Sequence, residues 1–259
     1  VGWTNYTILM FLNDFCVYVP SILLIPLLLR SLPQQLPAPV NPLSGQEKFL
    51  AVVFSLGSGY LFSYVTLALI HVLEGFVGQS SGNAVSAMES ALPPVTAILT
   101  FVVVAPIAEE FIFRRLLLDR VRIFGDGAAI LIGGAAFGLF HGNLNQTLYA
   151  FVLGAVFSAI VLLTNRLRYT IGIHMLINGI SVLTTLVESD LLDYLLACVI
   201  LFSICFSVVL FFVRRKHYTL EPGPLPFSRA EKAHACFTSP WVWVLLVGGL
   251  LFSGVSIFL

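Results

Sequence analysis

The sequence predicts an all-α, polytopic membrane protein with about eight transmembrane helices in one bundle. Three observations predict it. Of 259 residues, 58% are hydrophobic and only 10% charged, with mean hydropathy +0.98; soluble domains carry about 25% charged residues. Several apolar stretches exceed the roughly 20 residues that cross a ~30 Å hydrocarbon core. Finally, all 13 Lys and Arg follow odd-numbered stretches, while the even connections are acidic or neutral. By the positive-inside rule, odd connections face the cytoplasm and both termini face outward.

The first span, near 6–30, ends at Arg30 and opens into a Pro-rich loop, SLPQQLPAPVNPLSG. The second, near 48–76, carries His71 and Glu74 one turn apart at its outer end, where an interfacial role is expected. The third, near 93–118, leads to a connection holding Arg114, Arg115, Arg120 and Arg122. The fourth, near 127–142, is short, and Gly133–Gly134 would let a neighbouring helix approach closely. The fifth, sixth and seventh fall near 146–164, 169–187 and 190–213, and the eighth near 240–259. Residues 1–259 are read as one transmembrane domain, with a motif-bearing core at 93–187 and a cytoplasmic loop at 214–239. That loop has little apolar periodicity and reads as a solvated tether.

Other features exclude functions. Net charge is zero, which leaves no basic footprint for nucleic acid. No internal repeat is evident, so a transporter of two similar halves gains no support. Cys16, Cys198, Cys205 and Cys236 form no CxxC pair and read as small buried hydrophobes. Val1 opens without a basic region, so no cleavable signal peptide is expected, and SIFL is not a prenylation box.

The third span is costly to insert. Fourteen Leu, Ile, Phe and Val residues between Pro94 and Leu118 contribute roughly −4 to −8 kcal/mol at best. Glu109 and Glu110 cost about 5–7 kcal/mol together. Such a helix depends on partner helices or a water-filled cavity, and its ionisable groups are functional candidates. Adjacent helical residues point about 100° apart. Glu110 therefore pairs with Arg114 at i,i+4, acid first, and Glu109 has no partner in its own helix. Glu109 is the better candidate for chemistry.

Two further constellations accompany it. Phe137 and His141 share a face in AAFGLFHGN, and His174 and Asn178 share one in IGIHMLINGI. At 1.5 Å per residue, Glu109 lies about 16 Å from Arg120 and His174 about 9 Å from Arg168. His141 lies about 22 Å from Asp126, deeper than the others unless the fourth span is tilted, broken or ends in a dipping loop.

EEFIFR fits EExxxR, FGLFH fits FxxxH and HMLIN fits HxxxN, in that order. Over residues 93–185 the chain resembles the CPBP family of CAAX prenyl proteases and bacteriocin-processing or self-immunity proteins, the Abi group. The resemblance implies an intramembrane glutamic-type endopeptidase. Glu109 would be general base on a water, assisted by His141, with His174 and Asn178 donating to the oxyanion, each worth about 3–4 kcal/mol. Glu110 and Arg114 would hold the base in place, with Phe137 supporting. No cofactor and no metal are expected. Zinc or iron held by the two His and two Glu is the metal alternative, weakened by the lack of HExxH.

The expected partners are a membrane-associated peptide or protein substrate, entering from the cytoplasmic side, and the lipid bilayer. A bacterial plasma membrane is the expected location, with an internal eukaryotic membrane left open. A non-catalytic scaffold or self-immunity partner, and a proton-relaying transporter, are the competing readings. The oligomeric state is not legible.

Overall fold

The computed structural model describes residues 3–34, 42–78, 84–214 and 219–255. The Pro-rich stretch 35–41, the middle of the second connection, residues 215–218 of the seventh loop and both chain ends lie outside the described residues. The orientation expected for the termini therefore falls outside them too.

The described residues form ten helical segments and no strand. They are α1 (Trp3–Leu28), α2 (Gly45–Val77), α3 (Ala84–Ala91), α4 (Pro94–Phe124), α5 (Asp126–Phe140), α6 (Leu144–Thr164), α7 (Leu167–Leu186), α8 (Asp190–Arg214), α9 (Arg229–Thr238) and α10 (Pro240–Val255). Six of these, α1, α2, α4, α6, α7 and α8, are long and apolar enough to cross a membrane. The shorter apolar helices α5 and α10 complete the expected eight. The protein is a polytopic, all-helical membrane protein. Helices α1, α8 and α10 turn many large apolar side chains outward, among them Leu23, Phe202 and Leu251, as lipid-facing surfaces require.

The third span outruns its expected end. Helix α4 continues to Phe124 because its arginines find acceptors on neighbouring elements. Arg115 Nη1 donates to Asn165 Oδ1 at 2.9 Å, and its Nη2 donates to the Asn165 carbonyl at 3.1 Å. Arg120 Nη1 donates to the carbonyls of Leu29 and Leu32 beyond α1. Arg122 Nε donates to Asp126 Oδ1 at 3.1 Å. Arg114 is not in a connection at all; it is fully buried inside the helix.

Helix α4 is also not uniformly wound. Ile98–Val104 and Phe111–Leu118 are π-helical, with α-helical Ala105–Glu110 between them. Such widened turns are frequent at functional sites. Ala105 N–H is committed to the Thr100 carbonyl, and Pro106 has no N–H to give. The Phe101 carbonyl is left without a donor from either residue, and Asn178 Nδ2 supplies one at 2.9 Å from α7.

At Gly125 the chain reverses with φ +96°, a conformation glycine alone adopts readily. A hairpin of α4 and α5 results. Glu109 lies 16 residues before Gly125 and His141 lies 16 residues after it (125 − 109 and 141 − 125). The two arms are matched.

Helix α5 then packs against α6 at close range. A Cβ at Gly134 would sit 2.8 Å from the Phe151 carbonyl oxygen, and one at Gly138 2.6 Å from that of Thr147. The close approach expected of the Gly133–Gly134 pair is observed. Asn143 starts α6 by accepting from Gln146 N–H at 3.0 Å. Helix α2 lies between α6 and α8, α7 lies against the first π-helical turns of α4, and α1 against the second.

Three expectations are corrected. The seventh loop is not a free tether: Ser228 and Glu231 form a capping box that starts α9, and the loop docks on the α4–α5 corner. Lys232 Nζ donates to the carbonyls of Phe124 and Pro222, while Asp126 and Glu221 exchange two hydrogen bonds. Glu89, expected in the second connection, is buried on α3, where it accepts from Ser181 and Thr185 of α7. Cys16, Cys198 and Cys205 are free and exposed rather than buried; each lies on an apolar helix whose outer face meets lipid. The Cys236 side chain lies outside the described ones.

Candidate active site

The second turn of Ala105–Glu110 carries both acids into the bundle, with Glu109 7% exposed and Glu110 fully buried. They do point apart, as adjacent helical residues must, yet one imidazole reaches both. His174 of α7 places Nε2 at 3.8 Å from Glu109 Oε2 and Nδ1 at 3.4 Å from Glu110 Oε1. Neither approach has the alignment of a hydrogen bond. The ring sits edge-on to Phe137 at 5.7 Å and tilted against Phe157 at 5.7 Å. Its depth on α7 and its rotation are fixed by packing.

Glu110 has the local partner expected of it. Arg114 Nε donates to Glu110 Oε2 at 3.2 Å, with both side chains fully buried. Arg114 Nη1 reaches Ser158 Oγ at 3.3 Å, and its guanidinium lies over the rings of Phe137 and Phe157 at 5.3 and 5.9 Å. Two aromatic faces and one hydroxyl therefore share the cation with the carboxylate. A buried pair of this kind needs such support to offset the loss of water.

Glu109 is held differently. Its Oε1 accepts from the Tyr18 hydroxyl of α1 at 2.9 Å. Its Oε2 is buried, without a hydrogen-bond partner among the described residues, and faces His174. Among the described residues no guanidinium is bonded to it. One oxygen is anchored and the other is available.

His141 caps the end of α5. Its Nδ1 lies 2.8 Å from the Phe137 carbonyl, an acceptor only, so Nδ1 carries the proton and Nε2 keeps the lone pair when the ring is neutral. Its ring meets Phe137 edge-on at 4.9 Å. Phe137 thus touches both imidazoles and the Arg114 cation, and is itself 2% exposed. The structure gathers Glu109, Glu110, Arg114, Phe137, His141 and His174 around one point. Asn178 lies one turn beyond His174 on α7, half-buried, with its amide bonded to Phe101.

Sequence reasoning missed Tyr18, Ser158 and Phe157. A signal for the first existed: Asp14 and Tyr18, at i,i+4, put two polar groups on one face of the first span, and Asp14 is 8% exposed. His71, 3.9 Å from Glu74, is exposed and remote from this site, in keeping with an interfacial pair. Among the described residues no group of three or more His, Cys, Asp and Glu is arranged to hold a metal ion.

Comparison with known proteins agrees with the motifs. Residues 91–180 match the family model Rce1-like, described as type II CAAX prenyl endopeptidase Rce1-like. A Bacillus subtilis (strain 168) protein described as "Putative membrane peptidase YdiL" is 23% identical over 178 residues, covering 65% of this chain and 69% of its own length. No solved structure matches the chain. The resemblance to CAAX-type membrane endopeptidases is shown, and α4, α5, α6 and most of α7 are the part that carries it.

Proposed function

We propose that this protein is an intramembrane endopeptidase of glutamic type, hydrolysing a peptide bond in a membrane-associated protein or peptide. The observation that carries the reading is Glu109: one oxygen tied to Tyr18, the other free and turned toward His174, in a setting walled by apolar helices.

Glu109 Oε2 takes a proton from a water, whose oxygen forms the bond to the scissile carbonyl carbon. The carbonyl π electrons pass to oxygen. His174 donates to the resulting oxyanion, and Asn178, which keeps one amide hydrogen beyond its bond to Phe101, is the second donor. His141 assists the base through its Nε2 lone pair. Collapse of the tetrahedral intermediate breaks the C–N bond, and the amine leaves with the proton that Glu109 carried. Glu110, 3.4 Å from His174 Nδ1, lies behind the imidazole, and Arg114 pairs with Glu110.

A metal-free base is favoured because Glu110 is already neutralised by Arg114. The substrate class is a prenylated C-terminus, a leader peptide or a membrane signalling peptide. It would approach from the cytoplasmic side of a bacterial plasma membrane, where the basic connections lie. The experiment is cleavage of a prenylated CAAX peptide by protein reconstituted in lipid, with and without a strong chelator. Cleavage that survives the chelator and vanishes in Glu109→Gln is the expected result. A wild-type protein that cuts nothing, or a Glu109→Gln variant that still cuts, overturns the reading.

A further inference from the structure

Helix α1 lies wholly outside residues 91–180, yet it supplies the one hydrogen bond that Glu109 makes among the described residues. We propose that Tyr18 is a positioning residue for Glu109, so that α1 is part of the reacting centre; this rests on the peptidase reading above.

The geometry is specific. Tyr18 donates its hydroxyl to Glu109 Oε1 at 2.9 Å, which leaves Oε2 as the oxygen that faces His174. Without that donor the carboxylate could rotate about its terminal bond, since such torsions are broad, and either oxygen could drift from the imidazole. The phenol is itself fixed. Its ring stacks on Phe140 at 6.4 Å and 27°, and it packs on the cluster of Ile112, Phe113 and Phe137. Phe140 in turn meets His141 edge-on at 6.1 Å. Tyr18 therefore refers the base on α4 and the histidine at the end of α5 to one rigid plane.

The sequence spacing supports a built feature rather than chance contact. Asp14, one turn before the half-buried Tyr18 on the same face, is buried, with Oδ2 unpartnered among the described residues. Two polar groups one turn apart on an apolar span mark the side of α1 that belongs to the site.

Tyr18→Phe removes the hydroxyl and keeps the ring on Phe140. In lipid-reconstituted protein, kcat should fall on the order of 10- to 100-fold, with KM within about twofold, the pattern of a lost transition-state interaction. The thermal midpoint should be unchanged. In a Glu109→Asp background, whose shorter carboxylate withdraws from the phenol, the same change should cost much less. Infrared spectra give a readout independent of turnover: the Glu109 carboxylate band should shift in Tyr18→Phe and be missing in Glu109→Gln.

Wild-type kcat in Tyr18→Phe, or an equal loss in the Asp background, sinks the role of Tyr18 and leaves the peptidase standing. A carboxylate band unmoved by Tyr18→Phe also sinks it. A wild-type protein that cuts no peptide removes the peptidase reading, and the positioning role with it, even if the band shifts.

Discussion

Asn178 donates its amide to the carbonyl of Phe101, the acceptor that Pro106 leaves without a partner in its own helix. The third motif is thereby fastened to the widened turn just before the first. A residue expected to serve the oxyanion also joins two helices across 77 positions of sequence.

Asn178→Ala should therefore lower stability by about 1 kcal/mol, the net worth of one hydrogen bond, beyond any loss of turnover. Pro106→Ala restores an N–H at the position from which a π-helical bond reaches Phe101. In that background Asn178→Ala should cost less. Thermal unfolding of the four proteins in one detergent measures the coupling; additive losses would mean the bond carries no weight.

The Glu110–Arg114 pair is fully buried. Removing one partner leaves the other charge stranded, so Glu110→Gln and Arg114→Met should each cost about 3–5 kcal/mol. The double substitution should cost less than either alone. Arg114→Lys should not rescue, because an ammonium cannot lie flat between Phe137 and Phe157. Folded yield and melting temperature check both statements.

Gly154 faces Phe137 so closely that a Cβ there would meet the Phe137 Cβ at 2.8 Å. Gly154→Ala should displace the ring that holds both imidazoles. A loss of about 1–3 kcal/mol in stability is expected, accompanied by a fall in kcat. A Gly172→Ala control, where nothing lies within 4 Å of the added carbon, should leave kcat unchanged and raise stability by up to about 1 kcal/mol through helix propensity.

Glu89 supplies a pH dependence. Burial raises its carboxyl above the ordinary 4.5, against the opposing hydrogen bonds from Thr185 and Ser181. The folded state thus binds the proton more tightly than the unfolded one. The resulting stability is fully present below about the ordinary value and is lost as pH rises through the raised one. Wild-type protein should gain melting temperature on acidification relative to Glu89→Gln; parallel curves would show that Glu89 titrates alike in both states.

Much of the site was legible because its motifs are short. Glu110 with Arg114, Phe137 with His141 and His174 with Asn178 are all i,i+4 pairs, and a helix places such pairs on one face whatever surrounds it. The convergence of three helices on Phe137 was not legible, nor was Tyr18, 91 positions from Glu109. The end of α4 was misplaced for a related reason. Arg115, Arg120 and Arg122 look like connection residues until Asn165, Leu29, Leu32 and Asp126 are brought beside them. The π-helical turns left one trace in the sequence, Pro106. The capping residues Ser228 and Glu231 left a plain one, SRAE, inside a loop judged by its prolines.

The hairpin folded at Gly125 has arms of equal count, 16 residues down to the bend from Glu109 and 16 back up to His141. The register of the acid against the imidazole thus follows from the chain itself, not from where the lipid headgroups happen to lie. A thinner or thicker bilayer would raise, lower or tip the two helices together and leave their facing side chains opposite one another. Deleting a single residue from one arm would do what no change of membrane could: slide and turn one partner against the other, by ~1.5 Å and about 100°.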